Sequence, residues 1–417
     1  MTGAARADEP PGTAMPAASG GSAKPDECAH CHARLGDPRL SAPVGLVRSS
    51  VHADAALSCA GCHGGDARLP TTRAHDGAGF VARPTPPEVV SLCGGCHADA
   101  AFIRDFDASL RIDQLALYRK SGHGRALAAG DETVATCTSC HGSHGIRKID
   151  DAESPVRAEA VAATCGHCHE DPGLTEAHHL PVTIVEDWRK GVHAEALAKG
   201  DRSAPTCNDC HGNHGARPPA VASIHRVCGA CHAAEAEMFA ASVHAGPYAR
   251  LGLGECVECH SNHDIERPSV AMLGDAPDTA CSRCHAAGSK GAVAAAALRA
   301  QLDGAVARVA EAEASVGALT RRGISAPDAT ALLAELHDAS LRLPAAVHTM
   351  DTVKFAAAAG AVVKGAADVA QLAATAAGRV EGRRRGYALS LVVIGLLIAL
   401  LVLKLRRLDR RRPAPGA

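Results

Sequence analysis

Residues 136–145, TCTSCHGSHG, place two cysteines and two histidines within ten positions. A closely similar stretch, TCNDCHGNHG, occupies residues 206–215, and a related one surrounds residues 256–263. The pentapeptide Cys-x-x-Cys-His inside these stretches occurs nine times and uses all 18 cysteines of the 417-residue chain. The fold is therefore organised around a repeated requirement for two thiols and one adjacent imidazole.

Three kinds of chemistry use closely spaced cysteines. A disulfide framework gives no reason for a histidine after every second cysteine. Tetrahedral zinc sites use Cys-x-x-Cys pairs, but nine pairs do not divide into four-ligand sites, and the nine histidines would have no role. Cys-x-x-Cys-His is the attachment signature of c-type haem, in which the thiols bond to the porphyrin and the imidazole binds the iron. The sequence therefore predicts nine covalently attached haem c groups.

The predicted haem-attaching cysteines are Cys28, Cys31, Cys59, Cys62, Cys93, Cys96, Cys137, Cys140, Cys165, Cys168, Cys207, Cys210, Cys228, Cys231, Cys256, Cys259, Cys281 and Cys284. The predicted proximal iron ligands are the motif histidines, His32, His63, His97, His141, His169, His211, His232, His260 and His285. Each iron then needs a second axial ligand.

Four modules between residues 50 and 285 supply most of these second ligands. Each module has the order histidine, motif, histidine, motif, and the first histidine follows Ser-x or Gly-x. The predicted distal ligands are His52, His75, His123, His144, His193, His214, His244 and His263. In the last three modules the second of these histidines lies three residues past a proximal one, where it cannot bind the same iron from the opposite side. We therefore expect it to reach a neighbouring haem and to lock adjacent haems into a stack.

The first motif has no module of its own. Its candidate sixth ligands are His178 and His179, with His225 less favoured. His30 and His167 lie inside attachment loops and are read as exposed polar residues. His337 and His348 lie in a later helical segment and are not expected to be ligands, although His348 is close enough to the motif region to approach a haem.

The composition agrees with a haem-filled interior. Aromatic residues make up only 2% of the chain, with 41 glycines and 23 prolines, so side chains alone would form a poor core in the motif region. Only five methionines are present; bis-histidine ligation and low reduction potentials are expected, because methionine ligation raises the potential. The net charge of −2 argues against nucleic-acid binding, which requires a basic surface.

The two ends of the chain bear on its location. Haem of this type is attached outside the cytoplasmic membrane, so export is required. Residues 1–25 read as the remnant of a signal peptide, with a small-residue cleavage site at Ala5-Arg6-Ala7, followed by a flexible linker. We expect the true start codon to lie upstream of Met1.

Near the other end, residues 386–403 form 18 consecutive uncharged positions, GYALSLVVIGLLIALLVL, and predict a transmembrane helix over residues 385–405. More basic residues follow this segment than precede it, which predicts a cytoplasmic tail over residues 406–417. The haems would then lie on the periplasmic side of the inner membrane.

Residues 289–384 are rich in alanine and lack cysteine. An apolar seam of Leu302, Val306, Val309, Val316 and Leu319 predicts a helix. This helix should end at Gly323, Ser325 should cap the next, and Pro344 should interrupt that one. We expect a helical stalk whose last helix continues into the membrane.

The nine motifs, the Ser/Gly-x-His elements and the Cys-x-x-Cys-His-x-x-His elements resemble those of multihaem c-type cytochromes of anaerobically respiring bacteria, the doubled-CXXCH or cytochrome c3-type electron carriers. The resemblance covers residues 28–285. It implies a mainly α and irregular fold in which a nonahaem domain, residues 26–288, wraps around stacked haems. It also implies electron exchange with redox proteins, namely a membrane quinol-oxidising partner and periplasmic cytochromes. The C-terminal position of the membrane anchor departs from the tetrahaem quinol dehydrogenases, whose anchor is N-terminal.

Three functions compete at this level. An electron carrier, not an enzyme, fits a chain with enough histidines to saturate every iron. A reductase of a small nitrogen or sulfur oxyanion needs one open iron, for which the first haem is the candidate. A subunit of a conducting filament fits the density of haems but not the membrane-spanning tail.

Overall fold

The computed structural model describes residues 26–220 and 223–409. It is 65% helical, and this described part of the chain contains no strand. The mainly α and irregular fold class is therefore confirmed. The predictions made for residues 1–25 and for the end of the basic tail, 410–417, lie outside the described residues.

The helices are short up to residue 285 and long beyond it. In chain order the α-helices are α1 (Glu27–His32), α2 (Pro38–Arg48), α3 (Val51–Asp54), α4 (Cys59–His63), α5 (Pro86–His97), α6 (Ala100–Arg104), α7 (Gln114–Lys120), α8 (Gly122–Ala128), α9 (Cys137–His141), α10 (Ala158–His169), α11 (Pro172–Ala177), α12 (Ile184–Lys190), α13 (Val192–Ala198), α14 (Cys207–His211), α15 (Ile224–Gly229), α16 (Ala233–Ala240), α17 (Ala245–Leu251), α18 (Val257–His260), α19 (Lys290–Arg321), α20 (Pro327–Arg342) and α21 (Thr352–Asp409). Short 3-10 helices span Thr72–Asp76, Val270–Met272, Cys281–Arg283 and Leu343–Thr349.

The chain separates into two compact units. The first contains the described residues up to Ala220 together with Ser261–Arg267, and it holds the first six motifs. The second contains the described residues from there to His260 and from Pro268 onward, so it combines the last three motifs with the long helices. The predicted boundary between a haem domain and a stalk at residue 288 therefore does not divide the units.

Packing within the second unit explains this. The α16 helix, which follows the seventh motif, packs against the 3-10 helix Leu343–Thr349. Arg299 of α19 donates a hydrogen bond to the carbonyl oxygen of Leu273 over 3.2 Å, and Val270 and Leu273 pack on the apolar core of the long helices.

That core is built from two heptad seams. On α19 the buried residues are Leu298, Leu302, Ala305, Val309, Ala312, Val316 and Leu319, and on α21 they are Phe355, Ala359, Val362, Ala366, Val369, Ala373 and Ala376. Both series alternate spacings of four and three, the pattern by which helices pack along a continuous seam. Six of these fourteen positions are alanine, whose small side chain allows the two backbones to approach closely.

Two details of this segment differ from the sequence predictions. Val306 was placed on the seam but is 56% exposed, and Ala305, 1% exposed, faces the core instead. Ser325 does not cap α20: the N-cap is Ala326, and Pro327 occupies the first turn, where its missing N–H is not needed. The prediction for Pro344 holds, because α20 ends at Arg342 and the chain continues as a 3-10 helix with Pro344 in its first turn.

The last helix, α21, has two parts of different character. Its first half packs in the core, whereas the apolar side chains beyond Arg385 are exposed, from Tyr387 at 70% to Leu408 at 53%. The most apolar 18 residues have a mean hydropathy of 2.8, and none of that window is buried in the protein. Among the described residues, one helix, α21, is long and apolar enough to cross a membrane.

Phe355 tests the proposed core, because it is the largest fully buried side chain. Phe355→Ala should lower the free energy of unfolding of the helical segment by about 3–5 kcal/mol through lost burial and a residual cavity. Denaturant unfolding of the full chain in detergent, followed by far-ultraviolet circular dichroism, measures this. Val353→Ala is the matched control, since Val353 lies on the same turn and is 77% exposed; an equal loss in both variants would contradict the packing.

Candidate functional site

The motifs lie on short helical turns that bring their three functional groups to one side. In α4, α9 and α14 the helix begins at the first cysteine and ends at the histidine. In α5 and α10 the motif forms the end of a 12-residue helix. Positions i, i+3 and i+4 share one face of a helix, so both thiols and the imidazole can meet one flat group.

Serine side chains organise the histidines that precede the motifs. Ser121 is fully buried; its hydroxyl accepts a hydrogen bond from Gly124 N over 2.9 Å and donates to the Tyr118 carbonyl oxygen. Ser50 and Ser242 accept hydrogen bonds from the backbone N–H of His52 and His244. Ser50 and Ser121 are therefore helix caps that fix where α3 and α8 begin. Ser242 makes the same contact to His244, which is itself the N-cap of α17.

Sixteen histidines meet in eight pairs, each joining a motif histidine to one from elsewhere in the chain. The ring centroids are separated by 6.1 Å in His32–His75, 6.0 Å in His52–His97, 5.9 Å in His63–His144, 6.2 Å in His123–His169, 6.1 Å in His141–His214, 5.9 Å in His211–His263, 5.9 Å in His244–His285 and 5.9 Å in His260–His348. In the described part of the chain no three His, Cys, Asp or Glu side chains converge on a point, so the histidines meet in twos.

This spacing fits one metal ion between two imidazoles. A metal–imidazole bond is about 2 Å long, and a ring nitrogen lies roughly 1.2 Å from the centre of a ring whose C–N bonds are about 1.3 Å. Rings that bind one ion from opposite sides therefore have centroids roughly 6 Å apart. A direct N–H···N hydrogen bond of about 2.9 Å would bring them to roughly 5 Å. The donor set and its spacing thus fit the two axial positions of a haem iron.

The pairs fall into two classes by ring orientation. In the stacked pairs the ring planes are nearly parallel, at 12° for His63–His144, 10° for His141–His214, 5° for His211–His263 and 25° for His260–His348. In the edge-on pairs the angles are 77° for His32–His75, 68° for His52–His97, 61° for His123–His169 and 75° for His244–His285. The classes follow the repeat: each His that comes after Ser-x forms an edge-on pair with the second motif of its own module.

The stacked pairs instead connect consecutive modules. His144, His214 and His263 each lie three residues past a motif histidine, and each faces the first motif histidine of the preceding module. A positive φ follows each of these motif histidines: it is 78° at Gly142, 85° at Gly212 and 65° at Ser261. Gly142, with ψ 175°, lies in a region open to glycine and costly for other residues. The chain therefore leaves the attachment helix sharply enough to direct His144 away from its own motif.

Backbone hydrogen bonds join the segments that carry the histidines before the motifs to the segments that carry the histidines three residues after them. The residue before His52, Val51, donates its N–H to the Ile146 carbonyl oxygen over 2.9 Å, two residues after His144. The same bond recurs from Gly122 to Ala216 over 2.9 Å and from Val192 to Ile265 over 2.8 Å. Three successive junctions thus share one geometry.

Carbonyl oxygens orient several of the rings. His63 Nδ1 lies 2.8 Å from the Val81 oxygen and His211 Nδ1 3.1 Å from the Arg217 oxygen. Because a carbonyl oxygen only accepts, Nδ1 carries the proton and Nε2 keeps its lone pair. This is the arrangement by which proteins fix the tautomer of a metal-binding histidine.

Burial keeps most of the paired rings neutral. It lowers the pKa of ten of them, and the partner imidazole of several pairs lowers it further; these are His52, His97, His123, His141, His144, His169, His214, His244, His260 and His263. A neutral imidazole is the form that binds metal.

The thiols of successive motifs lie next to one another. A hydrogen bond between Cys93 and Cys137 raises the pKa of Cys93 and lowers that of Cys137. The bond between Cys165 and Cys207 likewise raises the pKa of Cys165 and lowers that of Cys207. In the third pair the pKa of Cys256 is raised and that of Cys228 is lowered. Closer to the N-terminus, burial and the nearby Asp26 carboxylate raise the pKa of Cys59 to about 12, and Cys28 adds to this. The motifs in each unit therefore follow one another in space in the order of the sequence.

The structure differs from the expectation for the first motif. The ring facing His32 is that of His75, which the module pattern had left to another haem. His178 Nε2 instead lies 3.4 Å from an Asp131 carboxylate oxygen, and the adjacent residue, His179, has the left-handed φ of 54°. His225 faces Glu255 at 2.7 Å. Asp131 and Glu255 thus engage His178 and His225.

The remaining predicted site residues have these places. His193 is the second residue of α13, and His232 is the N-cap of α16. His30 and His167 are exposed, as expected for residues inside attachment loops. Sequence reasoning did not select His348, which faces His260; the only signal for it was its position shortly after Pro344 in a segment with few other histidines.

Comparisons with protein-family models, with curated proteins and with solved structures found no match to this chain. The resemblance to multihaem cytochromes therefore rests on the motifs and on the histidine pairs.

Gly142 provides a test of the turn that directs His144. Gly142→Ala adds a methyl group that meets no atom within 4 Å, so any effect comes from the backbone, and about 1–3 kcal/mol of stability should be lost. Gly45→Ala is the control, since that site is equally open but helical, and alanine should be neutral or stabilising there. Thermal unfolding of both purified variants compares them; equal melting temperatures would show that the turn is not under this constraint.

Proposed function

We propose that the chain is a membrane-anchored nonahaem c-type cytochrome that carries electrons along bis-histidine haems in anaerobic respiration. The observation that supports this most directly is the set of eight histidine pairs, each containing one motif histidine and each at the separation that two axial ligands require. The 18 motif cysteines provide two covalent attachments for every motif.

The pairs favour electron transfer over substrate chemistry. A haem held between two imidazoles supplies a one-electron couple and offers a substrate no iron position. The chain's contribution is to supply both imidazoles, to bury most of the rings, and to fix the tautomer of motif histidines through carbonyl oxygens, as at His63 and His211. With histidine rather than methionine on both sides, the reduction potentials should be low.

The order of the motifs suggests the route. The neighbouring thiols Cys93–Cys137, Cys165–Cys207 and Cys228–Cys256 lie at the edges of consecutive attachment sites. Besides burial, electrostatic interactions of Cys62 with Cys96, and of Cys140 with Cys168, raise the pKa of Cys62 and of Cys140, and these interactions continue the series. In each unit we therefore propose that electrons pass between haems in the order of the sequence.

The reductase alternative depended on an open iron at the first motif. His75 now faces His32 at 6.1 Å, which gives that haem a second ligand and supports the carrier. The partners we propose are redox proteins, a membrane quinol-oxidising protein on one side and periplasmic cytochromes on the other.

The location follows from α21. We propose that it crosses the inner membrane once, with the larger basic cluster after it in the cytoplasm and the haems in the periplasm, where c-type haem is attached.

Haem content and coordination test the proposal. The full chain, produced together with a haem-attachment system and purified in detergent, should gain the mass of nine haems and give only low-spin signals in electron paramagnetic resonance, with no carbon monoxide uptake after reduction. His144→Ala should convert about one ninth of the iron to a high-spin, carbon monoxide-binding form, because there is one haem for each of the nine motifs. His167→Ala, at an exposed position, should leave the spectrum unchanged. Far fewer than nine haems, or zinc in their place, would refute the function, and an open iron in the wild type would favour the reductase.

Reporter fusions test the orientation. A green fluorescent protein fused after Ala417 should fluoresce, since it folds in the cytoplasm, and alkaline phosphatase at the same position should be inactive. Phosphatase fused after Glu381, before the membrane segment, should be active. The reverse pattern would place the haem-bearing segment in the cytoplasm and contradict the proposal.

A further inference from the structure

We propose that His348, in the helical segment outside the motif region, is the second axial ligand of the haem attached at Cys256 and Cys259. This inference rests on the proposed function, because it assigns a ligand to one of the proposed haems. It makes the long helices part of a cofactor site and not only a support for the membrane helix.

The geometry matches that of the other pairs. The rings of His260 and His348 have centroids 5.9 Å apart and planes 25° from parallel. His348 Nδ1 lies 2.9 Å from the Ala345 carbonyl oxygen, so that nitrogen carries the proton and Nε2 keeps its lone pair. The same Nδ1-to-carbonyl contact orients His63 and His211, the proximal members of two other stacked pairs.

The repeat requires a ligand from outside the modules at this point. In the first three modules the first motif histidine is faced by the histidine that lies three residues past the next module's first motif. After the fourth module no such residue follows, because no further motif comes after His285. His348 takes the place of the histidine that a fifth module would have supplied.

The 3-10 helix that carries His348 packs its apolar residues into the core of the long helices. Pro344 ends α20 as an α-helix, and the 3-10 helix that follows buries Leu343 and Val347, at 4% and 8% exposure. Val347 directly precedes the proposed ligand, so the ring is anchored on the seam of the long helices. The 3-10 helix also packs against α16, within the same compact unit as His260.

His337, the other histidine of this segment, provides the contrast. It lies on α20, is directed at the Glu313 carboxylate, and its side chain is 45% exposed. A substitution there changes the same helical segment without touching the proposed iron site.

The test compares His348→Ala with His337→Ala in the full-length holoprotein. His348→Ala should retain nine haems by mass, because attachment depends on the cysteines, but about one ninth of the iron should become high-spin and bind carbon monoxide. Added imidazole should restore the low-spin spectrum. His337→Ala should give the wild-type spectrum in both measurements.

A second variant covers the case in which His348→Ala does not fold. His348→Met keeps a side chain that binds haem iron, and methionine ligation raises the reduction potential, so one of the nine potentials in a redox titration should shift upward. If both His348 variants stay fully low-spin with unchanged potentials, His348 is not a ligand, while a wild type with nine low-spin haems would still support the proposed function. A wild type without haem would overturn both.

Discussion

The structure depends on pairs of imidazoles held about 6 Å apart by chain segments that are distant in sequence. Buried apolar side chains are sparse before residue 290, and the one apolar cluster found in the described residues begins at Leu298. Local helices of four to twelve residues are too short to be stable alone. Under the proposed function, much of the free energy of folding of the motif region comes from binding haem, as in domains whose metal sites form only on folding.

The two ring orientations reflect two tasks of the ligands. An edge-on pair such as His52–His97 closes a loop within one module, whereas a stacked pair such as His63–His144 joins that module to the next. The backbone hydrogen bond from Val51 to Ile146 brings the segments that carry His52 and His144 next to each other. Each such junction therefore brings together members of two histidine pairs.

The sequence predicted the parts of this arrangement that depend on local spacing. The motifs, the modules, the membrane-length helix and the ends of several helices can all be read from short patterns. The partner of the first motif could not be read from the sequence, because nothing near either residue distinguishes His75 from His178. The choice depends on Asp131, which engages His178. The error at Val306 has a similar origin. In an alanine-rich helix the core face is marked by alanines such as Ala305, which carry no pattern that separates them from the exposed alanines around them.

The contact between His260 and His348 joins residues on either side of position 288, where the sequence predicts the boundary between the haem domain and the helical segment. A prediction from composition separates a cysteine-rich region from an alanine-rich one. The repeated modules, however, provide no partner for His260. A chain of modules joined by shared ligands needs a different element at its end, just as repeat proteins need atypical terminal units. The helical segment meets that need by bringing His348 to face His260 from a well-packed region. The same segment continues as α21, whose membrane-length part lies beyond the buried seam and is exposed.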